Sequence, residues 1–128
     1  MKTHVLLIDD DRDEMDIFMS ALTRADLTCK CTYYNDSEQA LKMLNYINPD
    51  LIFVDLNMPR MGGMECLQHI RENERFSQVP VIIYSTGVDE HLYQRAMALG
   101  ASACISKTSD LGSLAAKLRE IISGQEAV

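Results

Sequence analysis

The run Leu51-Ile52-Phe53-Val54, followed at once by Asp55, restricts the fold more than any other stretch of the chain. Four consecutive large apolar side chains leave no polar face. The segment therefore reads as a strand buried on both sides, as in parallel sheets covered by helices. The stretch after it, Leu56-Asn57-Met58-Pro59-Arg60-Met61-Gly62-Gly63, holds a Pro and two Gly and cannot continue the strand. Asp55 is thereby placed at a strand's carboxyl end. In open parallel sheets the crevice outside those ends is where ligands sit.

The rest of the chain repeats one pattern. His4 to Ile8 reads as a short strand ending in Asp9-Asp10-Asp11. Asp11 with Glu14 has capping-box spacing for the next helix, whose inner face is Met15, Phe18, Leu22 and Ala25. Thr28 to Tyr34 is a more polar strand suited to an edge. Asn35-Asp36-Ser37 opens a helix with the stripe Ala40, Leu41, Leu44 and Ile47, stopped by Pro49. Cys66, Leu67 and Ile70 mark a third helix that ends in the polar stretch Asn73 to Gln78. Pro80 to Tyr84 reads as a strand running into Ser85-Thr86-Gly87. Leu92, Ala96, Met97 and Leu99 then mark a helix closed by Gly100. Ala103 to Ser106 is a fifth strand leading to Lys107, and Thr108 or Ser109 caps a last helix carrying Leu111, Leu114, Leu118 and Ile121.

Five strand–helix units in strict alternation predict right-handed crossovers and an α/β fold with a doubly wound parallel sheet. There is no repeat and no linker, so residues 1–128 read as a single domain with no output domain. A net charge of −7 speaks against a phosphate-backbone footprint and suits a bound cation or a basic partner surface, so no nucleic acid is expected. No apolar run reaches ~18 residues and no leader is evident, which predicts a cytoplasmic protein without a membrane anchor. Cys29, Cys31, Cys66 and Cys104 lack CxxC spacing and read as thiols of a reducing compartment. His4, His69 and His91 fall in three separate elements and read as surface or partly buried side chains.

Parallel strands share a direction, so whatever follows each strand lies on one edge of the sheet. Strand one supplies Asp9 and Asp10, strand three Asp55, strand four Ser85 and Thr86, strand five Lys107. Carboxylates converging in one crevice repel each other, and a hard divalent cation such as Mg²⁺ relieves that. Lys107 offers an ammonium to a phosphoryl oxygen, and the Ser85 or Thr86 hydroxyl can donate to another. An aspartate among a metal, a hydroxyl and an ammonium is a nucleophile prepared for phosphoryl transfer.

The acid pair after strand one, Asp55 with Met58-Pro59-x-Met61-x-Gly63, the Ser85-Thr86 pair and Lys107 resemble the receiver domain of two-component response regulators. The resemblance spans nearly the whole chain in the family's order. It implies a flavodoxin-like (βα)5 fold with strand order 2-1-3-4-5. It also implies Asp55 as phosphoacceptor, charged from the phosphohistidine of a sensor histidine kinase or a histidine phosphotransfer protein. By the same resemblance Asp10 ligates Mg²⁺ (or Mn²⁺) directly, Asp9 through water, and the Asn57 backbone carbonyl adds a ligand. Ser85 is the switch hydroxyl and Lys107 the family's lysine. The implied protein is a signalling module, not an enzyme beyond its own phosphorylation and dephosphorylation. It acts on a downstream protein by contact, as a monomer or a phosphorylation-linked dimer.

Two positions depart from that family. Cys104 stands where an aromatic switch residue is usual, with Tyr84 as the substitute from another strand. Thr108 stands where a proline with a cis bond is usual, and a trans Lys107–Thr108 bond is expected because a non-proline cis bond costs about 3–4 kcal/mol. Three other functions compete. A haloacid-dehalogenase-like phosphohydrolase needs a second acid two residues after the nucleophile, where Asn57 stands. A flavin carrier needs a Ser/Thr/Gly-rich phosphate loop where the three aspartates stand. A degenerate receiver, acting without phosphate, would not need the acids and Lys107 that are present.

Overall fold

A computed structural model describes residues 2–25 and 27–126. Strands and helices alternate as β1 (Thr3–Ile8), α1 (Arg12–Arg24), β2 (Cys29–Tyr34), α2 (Ser37–Ile47), β3 (Leu51–Val54) and α3 (Gly63–Glu72). A 3₁₀ turn (Glu74–Phe76), β4 (Val81–Ser85), α4 (Glu90–Ala98), β5 (Ala103–Ser106) and α5 (Leu111–Glu126) follow. All pairings are parallel, in the order β2-β1-β3-β4-β5, as expected for the flavodoxin-like arrangement. No described helix is long and apolar enough to cross a membrane.

Side chains alternate across each strand, which divides the core into two layers. Val5, Leu7, Phe53 and Tyr84 face α1 and α5, meeting Phe18, Leu22, Leu114 and Leu118. Leu6, Ile8, Ile52, Val54 and Ile83 face the other helices, meeting Leu44, Leu67, Ile70 and Ala96. Each fully buried side chain of this kind contributes roughly 1.5–3 kcal/mol. Register then aligns the site. Ile8 pairs with Val54, so Asp9 and Asp55 leave the sheet side by side, and Ser85 pairs with Ser106, so Lys107 emerges next to Ser85.

Three local expectations need correction. The capping box at α1 is half formed: Asp11 Oδ1 accepts from Asp13 N at 2.9 Å. Asp11 N, however, donates to Asp9 Oδ1 at 3.0 Å and Glu14 turns to Tyr84, because closer partners claim both groups. Helix α5 is capped by Asp110, whose Oδ1 accepts from Ser113 N at 3.2 Å. Thr108 and Ser109 stand too early for that reach, and Thr108 Oγ1 takes Asp110 N instead. The stretch 73–78 is not uniformly polar: Phe76 is 1% exposed and completes the second core layer. Its 3₁₀ turn is tied down by Arg71, which donates to the carbonyls of Phe76, Val79 and Gly100. Among the described residues there is no cis peptide bond, so Lys107–Thr108 is trans as expected.

Candidate functional site

Asp9, Asp10 and Asp55 meet at the carboxyl edge of the sheet, with one carboxylate oxygen of each within 4.8 Å of the others. Asp9 is fully buried, Asp55 nearly so, and Asp10 is exposed. Lys107 Nζ reaches between two of them, 2.8 Å from Asp9 Oδ2 and 3.3 Å from Asp55 Oδ2. The Ser85 hydroxyl donates to Asp55 Oδ1 at 2.7 Å, and Asn57 N donates to the same oxygen at 3.3 Å. The Asn57 side-chain amide donates to Ser85 Oγ at 3.4 Å. Thr86 is exposed, and the hydroxyl brought to Asp55 is that of Ser85.

Charge is unbalanced here. Burial pushes the Asp9 carboxyl up to about 6, with Asp55 adding repulsion that Lys107 and Asp11 N only partly offset. Burial alone would lower the Lys107 ammonium. Its contact with Asp9 and the charges of Asp55 and Glu14 outweigh that and hold it above its ordinary value. Asp9 Oδ2 faces Lys107 as an ion pair but accepts no aligned hydrogen bond. Three hard oxygen donors, one buried and under-satisfied, against a single ammonium fit a divalent cation.

Since the folded state binds the Asp9 proton more tightly than the unfolded chain, the contribution of Asp9 to stability falls as pH rises from about 4 to about 6, then levels. Asp9→Asn will therefore stabilise the metal-free protein by about 2 kcal/mol at pH 7. Urea unfolding in EDTA measures this, and an unchanged or lower midpoint would contradict it.

Sequence reasoning missed two contacts beside the acids, one on the Asp9 backbone and one on Tyr84. Tyr33, from the edge strand β2, donates its hydroxyl to the Asp9 carbonyl at 2.6 Å. Glu14 Oε2 accepts from the Tyr84 hydroxyl at 3.3 Å. Only alternation along β2 hinted at Tyr33, since its partner lies 24 residues away. Tyr84 and Cys104 lie on opposite faces of the sheet: Tyr84 is fully buried in the α1/α5 layer, whereas Cys104 packs in the other layer. Tyr84 therefore cannot fill the space in front of Cys104. Burial pushes the thiols of Cys31 to about 12 and Cys66 to about 11, so both are neutral and inert.

A family model, the response regulator receiver domain, matches residues 5–119. The chain belongs to that family. This receiver domain is 30% identical over 120 residues to a probable chemotaxis protein CheY of Rhizobium etli, covering 94% of this chain and 92% of that protein. It is 26% identical over 123 residues to the hybrid signal transduction histidine kinase D of Dictyostelium discoideum. That match covers 96% of this chain but spans only 8% of the kinase. Among solved structures, the phosphorylated cyanobacterial phytochrome response regulator RcpA superposes with a TM-score of 0.83 at 25% identity, covering 94% of this chain and 91% of RcpA. The Mn²⁺-bound form of response regulator Rcp1 gives 0.82 at 25% identity, covering 98% and 96%. The receiver domain is thus a signalling module of two-component systems, and its acidic pocket has the make-up of a phosphorylation site. The hydrolase, flavin and degenerate readings are not favoured.

Proposed function

We propose that this receiver domain accepts a phosphoryl group on Asp55 in a Mg²⁺-dependent reaction. Its donor is the phosphohistidine of a sensor histidine kinase or a histidine phosphotransfer protein. The observation that carries this reading is the engagement of both Asp55 oxygens, Oδ1 by the Ser85 hydroxyl and Oδ2 by the Lys107 ammonium, next to two further acids. The known state of the similar RcpA, which is phosphorylated, and the Mn²⁺ of Rcp1 support it by analogy.

An Asp55 carboxylate oxygen attacks phosphorus, a P–O bond forms, and the P–N bond to the donor imidazole breaks, leaving an acyl phosphate. Lys107 and Ser85 are released from the carboxylate to meet the phosphoryl oxygens, as an ammonium and a hydrogen-bond donor. Asp10 and Asp55 would hold the cation directly, with the Asn57 carbonyl as a further ligand and Asp9 through water. When bound, the cation neutralises charge on the phosphoryl oxygens. Asn57 presents an amide, not an acid, where a phosphohydrolase places its proton donor, so turnover of small phosphoesters is not part of the reading.

The protein works in the cytoplasm, as a monomer or a phosphorylation-linked dimer, and signals by contact with a downstream protein. Fluoroberyllate, a phosphoryl mimic, tests the reading without a kinase. With Mg²⁺ present it will raise the melting temperature of the wild type by several degrees through ligand linkage, and leave Asp55→Asn unmoved. No shift in the wild type would overturn the reading.

A further inference from the structure

The Lys107 ammonium has a neighbour that the phosphoryl-transfer chemistry does not use. Its Nζ lies 5.6 Å from the centroid of the Tyr84 ring, over a side chain with no exposed surface. The ring is fixed on two sides. Edge-to-face contact with Phe18, at 5.7 Å between centroids and 66° between planes, sets its tilt, and Phe18 packs on Phe53 in turn. The hydroxyl donates to Glu14 Oε2 at 3.3 Å, which sets how far the ring reaches toward the sheet edge.

Lysine is a point charge on a flexible four-carbon stem and needs such help. The Lys107 stem itself lines a groove with Glu14, Ile17, Thr86, Thr108 and Ser109, along which its ammonium could swing. Glu14 is the competitor there, since its negative charge attracts Lys107 away from Asp9 and Asp55. Tyr84 opposes that swing twice, with a negative ring face under the ammonium and with a hydroxyl that occupies the Glu14 carboxylate.

We propose that Tyr84 is a positioning residue for Lys107: its ring face, set by Phe18 and Glu14, holds the ammonium on the Asp9/Asp55 side of the groove. A fixed ammonium meets a phosphoryl group without first being ordered, so the effect falls on the rate of transfer and not on cation binding. The consequence for rate rests on the phosphoacceptor reading, whereas the placement of Lys107 does not.

The test compares wild type, Tyr84→Phe, Tyr84→Leu and Lys107→Met in the full chain, with acetyl phosphate as donor and Mg²⁺ titrated. Tyr84→Leu will slow the maximal rate of Asp55 phosphorylation about tenfold while the half-saturating Mg²⁺ concentration stays within about twofold. Tyr84→Phe, which keeps the ring, will recover most of the rate. Independently of any reaction, the Lys107 εCH₂ protons will resonate upfield of the other lysines in wild type and Tyr84→Phe. Circular dichroism checks that the Leu variant folds, and the Phe variant and the wild-type resonances decide the matter if it does not. Lys107 εCH₂ protons at the ordinary lysine position would overturn the proposal. So would a Tyr84→Leu rate equal to wild type, or a Phe variant as slow as Leu. If no variant and no wild type is phosphorylated, the phosphoacceptor reading fails, and the resonance position alone decides the placement of Lys107.

Discussion

Lys107→Met will lower stability by about 3 kcal/mol at pH 7 in the absence of metal, and acidification will restore most of it. Among the described residues the ammonium is the single cation in contact with Asp9 and Asp55, at 2.8 and 3.3 Å, and its side chain is 9% exposed. Methionine keeps most of the apolar stem, so little packing is lost. What remains is two buried carboxylates, with an oxygen of each within 4.8 Å of the other, and no counter-charge on them among the described residues. At an effective dielectric near 20, like charges about 4 Å apart repel by about 4 kcal/mol, which exceeds the packing change and decides the sign.

The pH dependence follows from the same geometry. Asp9 already sits at about 6, and Lys107 is the largest influence pulling it down, so its removal lifts Asp9 further. A carboxyl raised in the folded state loses stability as pH climbs from its ordinary value of about 4 through its raised value, and regains it on acidification. An ordinary salt-bridged carboxylate does the opposite. Urea midpoints at pH 5 and pH 8 in EDTA measure the difference. Equal stability of variant and wild type at pH 8 would contradict the account.

Gly63→Ala will be the most damaging small substitution outside the charged groups. A Cβ at Gly63 would stand 2.3 Å from the Asp55 carbonyl oxygen, 2.8 Å from Leu56 Cα and 2.9 Å from the Asp55 carbonyl carbon. All three are backbone atoms and cannot rotate away. The chain must move at Asp55 itself. Alanine's helix propensity returns at most about 1 kcal/mol, against overpacking of about 3 kcal/mol or more. The net loss corresponds to a fall in melting temperature of about 10 °C. Gly62→Ala is the control: its nearest contact would be the Leu56 carbonyl at 3.2 Å, so a small shift suffices. Calorimetry of the pair checks this, and equal melting temperatures would contradict it.

Periodicity and strand punctuation placed all five strand–helix units, because a buried parallel sheet imposes unbroken apolar runs such as Leu51 to Val54. The shared direction of the strands then brings Asp9, Asp55, Ser85 and Lys107 to one edge. What escaped was settled by competition between neighbours. Asp110 outcompetes Thr108 and Ser109 for the α5 cap by its distance to Ser113. Phe76 is hidden among polar residues, because one side chain in a 3₁₀ turn leaves no periodic trace. The face to which Tyr84 turns is set by the alternation of β4, and this removes it as a stand-in beside Cys104 while placing it under Lys107. Tyr33 meets Asp9 across 24 residues of chain and Glu14 meets Tyr84 across 70, and no local pattern encodes such pairings.

The claim that Asp55 is the phosphoacceptor is tested most directly by mass spectrometry after incubation with acetyl phosphate and Mg²⁺. One adduct of about 80 Da is expected, mapping to the peptide that contains Asp55 and dependent on the cation. It will be absent from Asp55→Asn. An adduct that persists in Asp55→Asn, or none from either acetyl phosphate or a phosphohistidine donor, would contradict it.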